Sequence, residues 1–330
     1  MPRTVSAIVP VYNGRHFLEK TLPPLLEEVG RHLLEVIVVD DSSTDGSAEL
    51  AAQQGARVIR TGGRLGPAAA RNLGAQHARG QILFMVDADV VVEAGAAERI
   101  CAAFASDDVA AVFGSYDDRP SEPGFLSQYK NLLHHHTHQR AREEASTFWA
   151  GCGAVRRDRF LAAGGFDASR YRRPSIEDIE LGYRLRAAGG KIRLLRELRG
   201  THLKRWTLRD LLYTDIFRRA IPWTRLMLQY HHALPDLNIS YGERARAAVA
   251  GLFFASTPLA MGGLVPAWMP LGLLVLAAGM NASLLALFHR RKGPVFALGG
   301  LVFHQFYYLY STAAYLWIWL TDRRELSGKG

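Results

Sequence analysis

Cysteine is almost missing from this sequence: Cys101 and Cys152 are the only two in 330 residues. Their spacing fits neither a zinc site nor a disulfide framework, which points to a reducing compartment. The part before Arg246 lacks long apolar runs, and the opening MPRTVSAIVPVYNG has no apolar core for a secretory signal. The first domain is therefore expected to stay in the cytoplasm. No Gly-rich, Lys-bearing triphosphate loop lies near the N-terminus, which disfavours a nucleotidyltransferase that makes sugar nucleotides. No DNA-reading motif accompanies the net charge of +9, which disfavours nucleic acid as a partner.

What is present falls into two halves. A mean hydropathy near zero, −0.02, conceals a charged part before Arg246 and an apolar part after it. The positive charge is local as well: from Arg156 to Arg225, 18 Lys and Arg stand against 8 Asp and Glu. Such a basic stretch beside an apolar tail suits anionic headgroups or phosphate-bearing substrates.

Short β-rich runs at Ser6–Val11, Glu35–Asp40, Ala56–Thr61, Gln81–Asp87 and Ala110–Ser115 are mostly separated by helix-length segments, which predicts an α/β fold with a mainly parallel sheet. A helix is expected after Phe125, a small-residue loop at Trp149–Gly153, a helix from about Ser175 to Ala188 and a strand at Lys191–Leu195. The segment 206–244 reads as amphipathic, with Pro222 breaking or kinking it, and suits either a membrane interface or packing on a soluble domain. In the tail, 247–265, 268–288 and 295–320 are each long enough to cross ~30 Å of hydrocarbon. They predict a membrane region over 245–322, with a hairpin around Pro266 and a polar tail at 323–330. The cluster His289, Arg290, Arg291 and Lys292 marks the cytoplasmic side. Three spans would leave Arg323, Arg324 and Lys329 outside, against that trend, and the third segment is wet, carrying His304, Gln305 and several tyrosines.

Polar clusters follow the first, second and fourth strands: Tyr12-Asn13-Gly14, Asp40-Asp41 and Asp87-Ala88-Asp89. In open α/β sheets the ligand crevice lies at these carboxyl ends. Asp87 and Asp89 form a hard-oxygen site for Mg²⁺ or Mn²⁺ bridging a diphosphate, unless they merely shape a turn. Asp41 can accept hydrogen bonds from a base or ribose, or cap the next helix. Arg71, early in a helix opened by Gly66-Pro67, can meet a phosphate or lie on the surface. Glu177 and Asp178 start a helix, where the dipole favours carboxylates, and one of them can act as general base. His202, Arg205 and Trp206 form an H-x-x-R-W set able to add a metal ligand, a phosphate contact and an indole that stacks or anchors at an interface. The run His134, His135, His136 and His138 cannot focus on one ion, because neighbouring helical residues point apart.

Taken in order, VSAIVPVYNG, VIVVDDSSTDGS, GPAAARNLGA, ILFMVDADV, GCGAVRR, GGFD, SIEDIELGYRLRAAG and HLKRW resemble the family 2 glycosyltransferases of the GT-A fold. The resemblance covers about residues 4–206 and implies a Rossmann-like nucleotide-binding sheet with helices on both faces in a catalytic domain over 1–205. It implies that Pro10, Tyr12, Asn13 and Asp41 hold the nucleoside, with Arg71 and Asp87 near the phosphates. Asp89 is implied as the more direct metal ligand, with Asp87 and His202 beside it, and Asp178 as the base of an inverting displacement. Gly151, Cys152, Gly153, Glu177, Arg205 and Trp206 then fall on the acceptor side. His202 stands where the family often has Gln, which argues against a processive synthase. The donor implied is a nucleotide sugar, UDP before GDP, and the acceptor a lipid or lipid-linked glycan at the inner membrane. The alternatives are transfer to a polyprenyl phosphate, or a non-catalytic module that binds nucleotide sugars.

Overall fold

The structure, a computed structural model, describes residues 4–230 and 241–327, with side chains as far as 322. Part of the expected 206–244 segment, at 231–240, and the end of the expected polar tail lie outside the described residues. The chain divides into two units: residues to Pro123 with Thr137–Arg205, and Gly124–His136 with the chain from Trp206 onward.

The first unit is a mixed sheet clothed in helices. In chain order it runs β1 (Val5–Val11), α1 (Arg15–Leu26), β2 (Leu33–Asp40), α2 (Ser47–Gln53), β3 (Arg57–Arg60), α3 (Pro67–His77), β4 (Ile82–Val86), β5 (Val90–Val92), α4 (Ala96–Ala103) and β6 (Val109–Tyr116). The helix α5 (Phe125–Arg140) passes through both units, and β7 (Glu144–Ala145), β8 (Cys152–Arg156), α6 (Arg157–Ala162), α7 (Glu177–Ala187) and β9 (Lys191–His202) follow. The strand order is β3-β2-β1-β4-β8-β6-β9-β5, with β7 beside β9.

The expected strands all form, and alternation explains why. Val5, Ala7, Val9 and Val11 of β1 join one core cluster, while Ile8 joins the other on the opposite face. β2 and β4 divide their residues in the same way, so the apolar runs are strands buried on both faces. The sheet is less parallel than expected. The presumed loop at Cys152 is the start of β8, which inserts antiparallel between β4 and β6. β5 is also antiparallel to β9.

Sequence-distant caps tie the layers together. Glu28, just past α1, is buried, and its carboxylate accepts from the amides of Gly95 at 2.8 Å, Ala96 at 3.1 Å and Ala97 at 2.9 Å. It thereby satisfies the orphan donors at the start of α4 and matches the helix dipole.

The second unit is helical. It contains α8 (Leu208–Tyr213), a π-helical stretch at Thr214–Ala220, α9 (Ile221–Gln229), α10 (Tyr241–Met261), α11 (Trp268–Met280) and α12 (Ala282–Ser327). Pro222 does not break the amphipathic segment. It stands where the π-helical stretch passes into α9, with helical backbone running through Ala220 and Ile221. Of the three expected spans, none forms a single helix long and apolar enough to cross a membrane among the described residues, although α11 and α12 together pass that measure as a bent pair. The second span, 268–288, is broken after Met280, and α11 and α12 meet at 81°. α12 is itself interrupted at Gly293, with φ of 83° followed by Pro294.

Replacing Glu28 by Ala leaves three helix-end amides, two of them buried, without their acceptor. It is expected to lower stability by about 2 kcal/mol, read as a shifted denaturation midpoint with an unchanged slope.

Candidate active site

The centre of the site is a buried guanidinium. Arg71 lies in the second turn of α3, a helix that opens at Gly66-Pro67. Its Nη2 is 2.5 Å from Asp87 Oδ1 at the end of β4, and its Nη1 is 3.2 Å from Glu177 Oε1 at the start of α7. Among the described residues the buried Nε has no hydrogen-bond partner. A buried charge is tolerable only when paired, so these contacts hold α3, β4 and α7 in one arrangement. The flanking carboxylates keep the guanidinium protonated more firmly than usual even though burial opposes its charge.

Beside Glu177, Asp178 is partly buried. Its Oδ2 accepts from the Ala150 amide at 3.0 Å and its Oδ1 from the Ile179 amide at 2.9 Å. Burial, and then the negative charge of Glu177, push its proton affinity up to about 7, despite the opposing pull of the Ala150 amide and Arg71. A carboxylate so poised can accept a proton near neutral pH.

Asp89 and His202, 113 positions apart, are joined by strand register. Val90 pairs with His202 across β5 and β9, and the Leu203 amide donates to the Asp89 carbonyl at 2.8 Å. Asp89 Oδ2 and His202 Nε2 then stand 3.3 Å apart. Burial opposes ionisation of Asp89, but His202 and Lys204 hold its carboxyl below the usual range. The imidazole stacks on Tyr116 at 4.5 Å and 8°, and Tyr116 meets Trp149 edge-on at 4.9 Å. Asp87 is turned to Arg71 instead, and among the described residues no three His, Cys, Asp or Glu side chains converge on one point. The Asp89–His202 pair offers one oxygen and one nitrogen, a donor set that Mn²⁺ accepts more readily than oxygen-preferring Mg²⁺.

The first two strand ends are zipped together. The Asn13 carboxamide accepts from the Thr44 amide at 2.8 Å, and the Asn13 amide donates to Ser43 Oγ at 2.9 Å. Asn13 and Ser42 both take a left-handed backbone, φ 49° and 67°, a strain that non-glycine residues bear where surrounding structure enforces it. Pro10 lies within β1. Asp41 is buried and accepts from the Leu65 and Gly66 amides, each at 2.8 Å, and from Thr61 Oγ1 at 3.0 Å. Its carboxylate therefore pins the 61–66 turn. From that turn Arg64 lies over the exposed Tyr12 ring, 4.1 Å from its centroid.

On the expected acceptor side, Gly151 and Gly153 are small for a local reason. A Cβ at Gly151 would fall 2.6 Å from the Trp149 ring, and one at Gly153 2.2 Å from the Trp149 carbonyl oxygen. Cys152, expected on the acceptor side, has its thiol fully buried in the sheet core, and burial raises the thiol's proton affinity. Arg205 is exposed. Trp206 packs with Leu211 and Tyr310 in the helical unit. The histidine run disperses as expected: His138 Nδ1 lies 2.9 Å from the Gly114 carbonyl in the first unit, while His136 reaches Ser283 in the second.

Sequence reasoning missed Tyr116, Trp149 as an ordering ring, and Arg64. Tyr116 ends β6, so the only available signal was an aromatic residue at a strand's carboxyl end.

Between pH 3.8, the ordinary value, and about 7, folded Asp178 keeps a proton that the unfolded chain gives up. Its contribution to stability is therefore largest at low pH and fades as pH rises through that window. Asp178→Asn removes this dependence, so its melting temperature relative to wild type should rise by a few degrees between pH 5 and pH 8, as calorimetry would measure.

Residues 6–164 match the family Glycosyl transferase family 2. Glycosyltransferase GlyG of Streptococcus pneumoniae is 30% identical over 121 residues, 35% of this chain and 40% of GlyG. Dolichyl-phosphate beta-glucosyltransferase ALG5D of Trichomonas vaginalis is 37% identical over 101 residues, 26% of this chain and 30% of that protein. The chain spans less than half the length of these two relatives. Among solved structures, mannosyltransferase PcManGT of Pyrobaculum calidifontis, in complex with GDP-Man and Mn²⁺, is similar with a TM-score of 0.63 and 20% identity, covering 96% of this chain and 88% of that one. At that identity the likeness speaks for the fold. The family model thus matches residues 6–164, just under half of the chain, on a Rossmann-like α/β sheet of the GT-A fold.

Proposed function

We propose that the chain is an inverting, metal-dependent glycosyltransferase that moves a sugar from a nucleotide sugar to a hydroxyl of a membrane lipid or lipid-linked glycan. The observation that carries this reading is the pairing of a proton-accepting Asp178 with the buried, bridged Arg71.

Asp178 takes the proton of the acceptor hydroxyl, which raises the nucleophilicity of that oxygen as it attacks the anomeric carbon. The Ala150 amide and the start of α7 hold this carboxylate in one orientation. Arg71 faces the negative charge that gathers on the departing nucleoside diphosphate, and its unpartnered Nε is a spare donor for a phosphate oxygen. Asp89 and His202 would hold Mn²⁺ or Mg²⁺, which when bound neutralises diphosphate charge. Tyr12 and Asp41 flank the place assigned to the nucleoside. A UDP-sugar is the expected donor; the GDP-Man held by PcManGT makes GDP-sugars the necessary comparison.

Membrane attachment, with the glycosyltransferase domain on the cytoplasmic side, is part of the proposal. Supporting it are the exposed apolar side chains of α10, α11 and α12 and the basic clusters near them. The similarity to a dolichyl-phosphate glucosyltransferase favours a second reading, transfer to a lipid phosphate. That nucleophile is already ionised and needs no base.

Release of nucleoside diphosphate by detergent-purified protein, with Mn²⁺, lipid extract and a panel of UDP- and GDP-sugars, tests the proposal. One donor should be turned over, and Asp89→Ala and Asp178→Asn should each reduce turnover by about 10²- to 10⁴-fold. Full activity of Asp178→Asn beside an inactive Asp89→Ala would favour the lipid-phosphate reading. No turnover of any donor would remove the enzyme proposal.

A further inference from the structure

From Ala247 to His289 the sequence contains no Asp, Glu, Lys or Arg. The structure folds most of this stretch into α10 and α11, joined by a short turn at 262–267. The hairpin is closed at its base, where Arg246 Nε donates to the Met280 carbonyl at 3.0 Å. Its tip is open apolar surface: Met261 is 86% exposed, Leu264 75% and Trp268 71%.

Charge collects at the other end. Arg246 pairs with Glu243, whose second oxygen accepts from the Tyr308 hydroxyl at 2.6 Å. Lys130 and the buried Asp215 form an ion pair at 2.5 Å, and the Tyr310 hydroxyl donates to Asp215 at 2.8 Å. Asp322, near the far end of α12, pairs with Arg225 of α9 at 2.6 Å. The later half of α12 is therefore tied along the arginine-rich α8–α9 segment, which belongs with water or headgroups and not with hydrocarbon.

We propose that the α10–α11 hairpin dips tip-first into one leaflet of a lipid bilayer and returns, so that the chain does not cross the membrane. The lengths agree with this. α11 has 13 residues, and the uncharged part of α10 has 15, about 20 and 22 Å of helix at 1.5 Å per residue. That exceeds one leaflet but falls short of the ~30 Å needed to span. One-sided insertion also removes the charge conflict of a three-span arrangement. The basic cluster at 289–292 and the C-terminal Arg323, Arg324 and Lys329 then share a side, where they can meet anionic headgroups. The occupant of the apolar tip is the acyl region of a lipid surface, because an uncharged hairpin with an ionic base matches a bilayer's layering.

The inference rests on the membrane-bound reading above, and the test separates the two. Full-length protein is mixed with anionic phospholipid vesicles and floated on a density gradient, then compared with Leu264→Glu. The bound-to-free ratio should fall about tenfold or more. In spheroplasts of a bacterial host, epitope tags at both termini should resist external protease, and Leu264→Cys should resist a membrane-impermeant maleimide. Digestion of the C-terminal tag alone, or external labelling at 264, would mean that the chain crosses and would overturn the inference. Equal flotation of Leu264→Glu would overturn it as well. Failure of the wild type to float would sink the membrane-bound reading itself.

Discussion

Arg71 is the constraint on which the rest of the site depends. Its guanidinium is buried, so it must be neutralised, and the groups that neutralise it come from β4 and α7. Those two elements are remote in sequence, yet the ion pair ties the end of one to the start of the other. Asp178 follows Glu177 in the chain, and that neighbour's charge, added to burial, keeps Asp178 partly protonated near neutral pH. A single arginine thus organises two of the proposed chemical groups. It also leaves an excess of carboxylates, which a divalent cation and the acceptor's proton would offset.

Rigidity around this centre comes from polar links at the strand ends. Asp41 clamps the turn at 61–66, Asn13 clamps the turn after β2, and two residues bear left-handed strain within these loops. Loops that must approach a ligand closely cannot be buried under apolar side chains, so hydrogen bonds from strand-end residues replace packing as their anchor. The price is local strain, which the flanking sheet can absorb.

The helical unit buries polar side chains beside apolar ones. Asp215, His304 and Gln305 lie inside it together with Leu287, Phe288 and Ile318, while Leu271 and Val275 of α11 are exposed. Buried polar groups of this kind need partners, and Asp215 finds them in Lys130 and Tyr310.

The sheet was legible because its strands are uninterrupted apolar runs whose alternate residues enter two cores, a pattern that survives any tertiary arrangement. The site acids were legible because they follow those runs directly. The sequence also determined the charge partition along the chain and the uncharged stretch at 247–289. Which acid meets which partner was decided only in three dimensions: Asp87 turns to Arg71, while Asp89 reaches His202 through the register of β5 on β9. Burial of Cys152 in a central strand and of Trp206 in the helical core likewise followed from neighbours that no local pattern names. The tail shows the same division, since apolar length argued for three spans while the breaks after Met280 and at Gly293 depend on how the helices pack. Periodicity reports what each segment wants to bury, but pairings between distant segments are settled by which contacts can be satisfied together.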